Sequence, residues 1–191
     1  MQFLNLKVSF APALLALAIQ AARAATPEAE VVFDNSANLI NQTPNFFSGR
    51  EYGDELFLAG HARYVTEFQF AYFGNFGTTP GAAYNVHFYI NDGTDAYPGA
   101  PTALRPKTLL WESGPQSILN GVNKATLIVP GVLVPDHFTW SITFIGLDGT
   151  PGKQAALMLA NPATVGAPLP GSGNLPPVVG SYDDFWKKDD P

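Results

Sequence analysis

The chain is predicted to fold as an all-β domain, a single antiparallel β-sandwich of jelly-roll-like form with about nine strands. Three observations carry this expectation. Apolar and polar residues alternate with period two in two long runs, Tyr84–Ile90 and His137–Phe144. Clusters of Gly, Pro, Asn and Asp separate the β-rich segments. No segment after residue 24 shows the periodicity of an amphipathic helix, and a parallel α/β sheet would need helices between its strands.

Val31–Phe33 and Leu56–Ala59 are short β-rich runs. From Tyr64 to Phe73 the alternation directs Phe68, Phe70 and Tyr72 inward. In the next run Tyr84, Val86, Phe88 and Ile90 share one face and Asn85, His87 and Tyr89 the other, as in a half-buried strand. Thr108–Trp111 and Ala125–Val129 follow. Phe138, Trp140, Ile142 and Phe144 then point one way and His137, Thr139, Ser141 and Thr143 the other, which predicts a sheet with one wet face. Ala155–Leu159 and Tyr182–Trp186 complete the set. Two loops are long for a compact domain: Asn91–Pro106, and Pro162–Gly180 with five prolines and four glycines.

Residues 1–24 read as a secretory signal peptide, with Lys7 as its basic region, Val8–Ile19 as its apolar region and Ala22-Arg23-Ala24 as a cleavage site. That apolar run of about 12 residues falls short of the ~20 needed to span a membrane, and no later run is longer, so the mature chain is expected to be secreted without a transmembrane segment. The remaining organisation is a sandwich core at 25–161, a Pro/Gly-rich loop at 162–180, and a last strand with a polar C-terminus at 181–191. Beyond residue 24 the chain holds 8 basic and 16 acidic residues, a net charge of −8. No basic stripe is available to neutralise a run of phosphates, so nucleic acid is not an expected partner. With no Cys, disulfides, thiol catalysis, iron–sulfur clusters and Cys-type zinc sites are excluded.

Gly49-Arg50-Glu51-Tyr52-Gly53-Asp54-Glu55, Ala59-Gly60 and Phe68-Gln69-Phe70-Ala71-Tyr72-Phe73 form a series that continues through Phe88–Gly93, Leu110-Trp111-Glu112-Ser113-Gly114 and Phe138-Thr139-Trp140. In this series the chain resembles uncharacterised secreted bacterial β-sandwich proteins of the kind often carrying a PEP-CTERM sorting tail. The stretch Lys187–Pro191 does not carry that tail's motif, apolar helix or basic cluster. The resemblance implies export and a sandwich fold and carries no activity.

Several constellations bear on function. Asn91, Asp92 and Asp95 gather hard oxygen donors of the kind calcium takes, although Asn-Asp-Gly is equally what a plain turn requires. The three histidines, His61, His87 and His137, have no metal-ligand spacing, and the latter two sit on polar strand faces as ordinary hydrogen-bonding groups. No Gly-x-Ser-x-Gly elbow occurs, and Ser141 lies roughly 13 Å along its strand from His137, too far for a hydrogen bond. Glu51, Asp54, Glu67 and Glu112 are the acids from which a two-carboxylate hydrolase could draw. Tyr97, Trp111, Tyr182 and Trp186 lie at strand ends or loops, where rings stack on sugar faces, or else close the ends of the core; Trp140 is expected inside.

The expected protein is therefore secreted, non-catalytic, and placed in the cell envelope or extracellular matrix, binding polysaccharide with calcium bracing the Asp92/Asp95 loop. One alternative is a structural matrix or surface protein that binds itself or another protein. The other is a small jelly-roll carbohydrate-active hydrolase or lyase.

Overall fold

The structure, a computed structural model, describes residues 29–39, 50–94, 105–160 and 164–165, together with the backbone of 186–189. The signal peptide, most of the Pro162–Gly180 loop, and Asp95, Tyr97 and Tyr182 lie outside the described residues, and Trp186 is described only by its backbone.

Among the described residues the secondary structure is β and contains no helix, so none is long and apolar enough to cross a membrane. In chain order the strands are β1 (Arg50–Phe57), β2 (Tyr64–Asn75), β3 (Ala83–Ile90), β4 (Thr108–Glu112), β5 (Gln116–Ser117), β6 (Gly121–Leu133), β7 (His137–Ile145), β8 (Gln154–Leu157) and β9 (Trp186–Asp189). All pairings are antiparallel. One sheet runs β4-β3-β7-β1-β9, with β5 also paired to β3, and the other runs β6-β2-β8. Val31–Phe33 is not a strand. It is tied down by a hydrogen bond from Ala59 N to the Val32 carbonyl at 2.8 Å, and isolated bridges follow it from Asp34 to Val165 and from Leu39 to Ala160.

The alternation places the core. Tyr84, Val86 and Phe88 of β3, and Phe138, Trp140, Ile142 and Phe144 of β7, are buried on one face of the larger sheet. Phe70 and Tyr72 of β2, with Ala125, Leu127 and Val129 of β6, are buried opposite them. The layers interlock through rings: Phe68 lies 4.9 Å from Trp140 and 5.2 Å from Phe88, and Phe70 meets Tyr84 edge-on at 5.3 Å. Each such buried aromatic or aliphatic side chain contributes roughly 1.5–3 kcal/mol.

The second face of β7 departs from the wet face that alternation alone predicts. Thr139 is 1% exposed and Ser141 4%. The reason is position: β7 is the middle strand, flanked by β3 and β1, whose side chains close over it. Gly53 of β1, in register with Ser141, belongs to this tight packing, because a Cβ there would stand 2.3 Å from the Trp140 carbonyl oxygen and 2.8 Å from the Ser141 Cβ.

Candidate functional site

On the face of the larger sheet turned away from the core, register decides which side chains meet. Glu51 pairs with Thr143, Gly53 with Ser141 and Glu55 with Thr139 along β1 and β7. On the other flank of β7, Asn85 pairs with Thr143, His87 with Ser141 and Tyr89 with Thr139. Beyond β3, Glu112 of β4 stands opposite His87. Alternation confines all of these side chains to one face.

Glu51 is the hub. Its Oε1 accepts a hydrogen bond from Ser141 Oγ and lies 3.2 Å from His87 Nδ1, and Tyr89 also bonds to this carboxylate. Burial works to raise the Glu51 pKa, but hydrogen bonds from His87, Ser141 and Tyr89 and the charge of His87 outweigh it and hold the carboxyl at about 2. The Tyr89 phenol moves the other way, pushed up first by burial and then by the neighbouring charges of Glu51 and Glu112 and its bond to Glu51.

On its far side, His87 Nε2 lies 3.1 Å from Asn85 Nδ2 and 3.9 Å from Glu112 Oε2. Asn85 Oδ1 accepts from Ser113 Oγ at 3.0 Å. A separate buried group sits further along the face, where Asn91 Nδ2 donates to Glu55 Oε1 and Asn91 Oδ1 accepts from Thr139 Oγ1 at 2.8 Å.

The structure distributes the candidate residues as follows. Asn91 is buried and committed to Glu55 and Thr139. Asp92 turns outward, its Oδ1 accepting from Thr108 N at 2.9 Å and its Oδ2 from Thr108 Oγ1 at 2.6 Å. Those bonds hold its carboxyl below the usual range. Among the described residues no group of three His, Asp or Glu is arranged to hold a metal ion. Trp111 faces the core side and packs on Phe88 with ring centroids 4.8 Å apart. The backbone of Trp186 pairs with Gly53 at the edge of β1.

Of the candidate acids, Glu51 and Glu112 converge on His87 from opposite sides. Asp54 is in register with Trp140, on the other face of β1, and Glu67 sits on the smaller sheet, where Gln69 Nε2 donates to it at 2.7 Å. His137 stacks on Phe57 at 5.4 Å. By alternation alone His87, Asn85 and Ser141 are ordinary polar positions. The signal that could have found them is the run Asn85-x-His87-x-Tyr89, three hydrogen-bonding side chains on one strand face.

The chemistry of this arrangement is legible. In a Ser-His-acid triad the imidazole stands between hydroxyl and acid. Here the carboxylate stands between the two, accepting from Ser141 Oγ and lying 3.2 Å from His87 Nδ1. Compared with protein-family models, with curated proteins and with solved structures, the chain matches none.

Proposed function

We propose that this protein is a secreted, non-catalytic jelly-roll-like sandwich of the cell envelope or extracellular matrix that binds polysaccharide on the polar face of its larger sheet. The single observation behind the reading is the array Glu51, Asn85, His87, Tyr89 and Glu112. These are planar polar side chains of the kind that fix sugar hydroxyls, held on rigid strands and reaching solvent at Glu112, whose side chain is 58% exposed. The chain's path, which passes from one sheet to the other at β1–β2, β2–β3, β5–β6, β6–β7, β7–β8 and β8–β9, supports the jelly-roll-like description.

The test is retention of residues 25–191 on a panel of insoluble polysaccharides, with calcium and with chelator. Calcium enters because Asp92 and Asp95 offer hard oxygen donors. Retention weakened by Glu112→Ala or Trp186→Ala supports binding. No retention under either condition overturns it and turns attention to self-association in a matrix.

One observation favours a second reading, a carbohydrate-active hydrolase or lyase: Glu51 and Glu112, two carboxylates from different strands, both approach His87. Turnover lost in Glu51→Gln and Glu112→Gln supports it, and no turnover on any polysaccharide ends it.

A further inference from the structure

Ser113 Oγ lies within hydrogen-bond distance of two acceptors at once, Asn85 Oδ1 at 3.0 Å and the Gly114 carbonyl oxygen at 2.7 Å. A hydroxyl has one proton and serves one of them at a time. The same Oγ accepts from Val86 N at 3.0 Å, which leaves it one further lone pair. Asn85, for its part, is an amide whose two ends exchange roles when it turns over.

We propose that His87, Asn85 and Ser113 form a two-state hydrogen-bond relay that carries the protonation state of His87 to the Gly114 carbonyl at the β4–β5 corner. In the neutral state, His87 Nδ1 carries its proton on the side of Glu51 Oε1, 3.2 Å away, and Nε2 accepts from Asn85 Nδ2, while Ser113 Oγ–H donates to Asn85 Oδ1. When Nε2 takes up a proton from solvent, it can no longer accept. The Asn85 amide turns over, so that Nε2–H donates to Oδ1 and Nδ2 donates to Ser113 Oγ. The Ser113 hydroxyl then swings to the Gly114 carbonyl. The new N–H at Nε2 takes its proton from a solvent hydronium, whose O–H bond breaks, and no other covalent bond changes.

Glu51 from β1 and Glu112 from β4 are the charged groups facing His87, at 3.2 Å and 3.9 Å, and Tyr89 on β3 is the neighbouring titratable group, its ring 5.9 Å from the imidazole. From β7 the facing side chains, Ser141 and Thr143, do not titrate. Lys188 of β9 stands opposite Glu51 in the backbone register. The two carboxylates flank the imidazole, and the Asn85 amide lies against its Nε2. The relay does not depend on what the face binds.

Nitrogen NMR of the labelled full chain tests it, following the His87 ring and the Asn85 side-chain amide from about pH 4 to about pH 9. The expected result is that the Asn85 amide resonances move with the same midpoint as the His87 ring. Asn85→Asp, which accepts and cannot donate, should raise the His87 midpoint by about one pH unit or more, a tenfold shift in the equilibrium. An amide unaffected while the ring titrates, a ring that holds one protonation state throughout, or an unchanged midpoint in Asn85→Asp overturns the relay.

Discussion

His87 on β3 and Glu51 on β1 meet at 3.2 Å although β7 lies between their strands, because their side chains reach toward each other over Ser141. Strands two apart in a sheet are separated by roughly 9–10 Å, so this contact draws three strands together on the polar face.

Acid should undo part of that contribution. Glu51 is held at about 2 against an ordinary 4.5, so its stabilising effect is complete above about pH 4.5 and is lost as the pH falls toward 2. Glu51→Gln is expected to lower stability at neutral pH by roughly 1–3 kcal/mol. Urea unfolding across this range should show the two proteins converging as the pH falls; a constant difference would refute the assignment.

Gly53→Ala should be among the most disruptive small substitutions. Its new Cβ would meet the Trp140 carbonyl oxygen and the Ser141 Cβ, so β1 must move off β7. A loss of about 1–3 kcal/mol, read as a drop in Tm of several degrees, is expected.

Adjacent residues of β6 provide a test of which face is which. Leu127 is buried and Ile128 is 79% exposed. Leu127→Ala is expected to cost about 2–5 kcal/mol and Ile128→Ala no more than about 0.5 kcal/mol in denaturant unfolding. Equal costs would mean the register with β2 is wrong.

Trp111 and Glu112 separate packing from recognition. Trp111→Ala removes a ring packed at a tilt on Phe88, and about 2 kcal/mol or more of stability should go with it while polysaccharide retention persists. Glu112→Ala should leave Tm nearly unchanged and weaken retention. Thermal unfolding and the pull-down, run on both variants, distinguish the two roles.

Much of the fold was legible in the chain. The period-two runs at Tyr84–Ile90 and His137–Phe144 became β3 and β7, and Phe70, Tyr72 and Trp140 went to the core as the alternation predicts. Less legible was Trp111, which faces inward because it is paired with the buried Phe88, next to an irregularity in the β3–β4 register. The short β5 was also missed, since Gln116–Ser117 offers only two residues and no alternation to read.

The sequence by itself determined the all-β class, the inward face of each long strand and the exclusion of thiol chemistry, because these follow from local periodicity and composition. Strand order and register placed Ser141 against Glu51, and Glu51 against His87, rather than Ser141 against its strand-mate His137, and turned Asn91 to Glu55 while Asp92 clasps Thr108. Alternation assigns a residue to a face, but strand order and register choose its neighbours on that face, and both are set by long-range packing of the whole sheet.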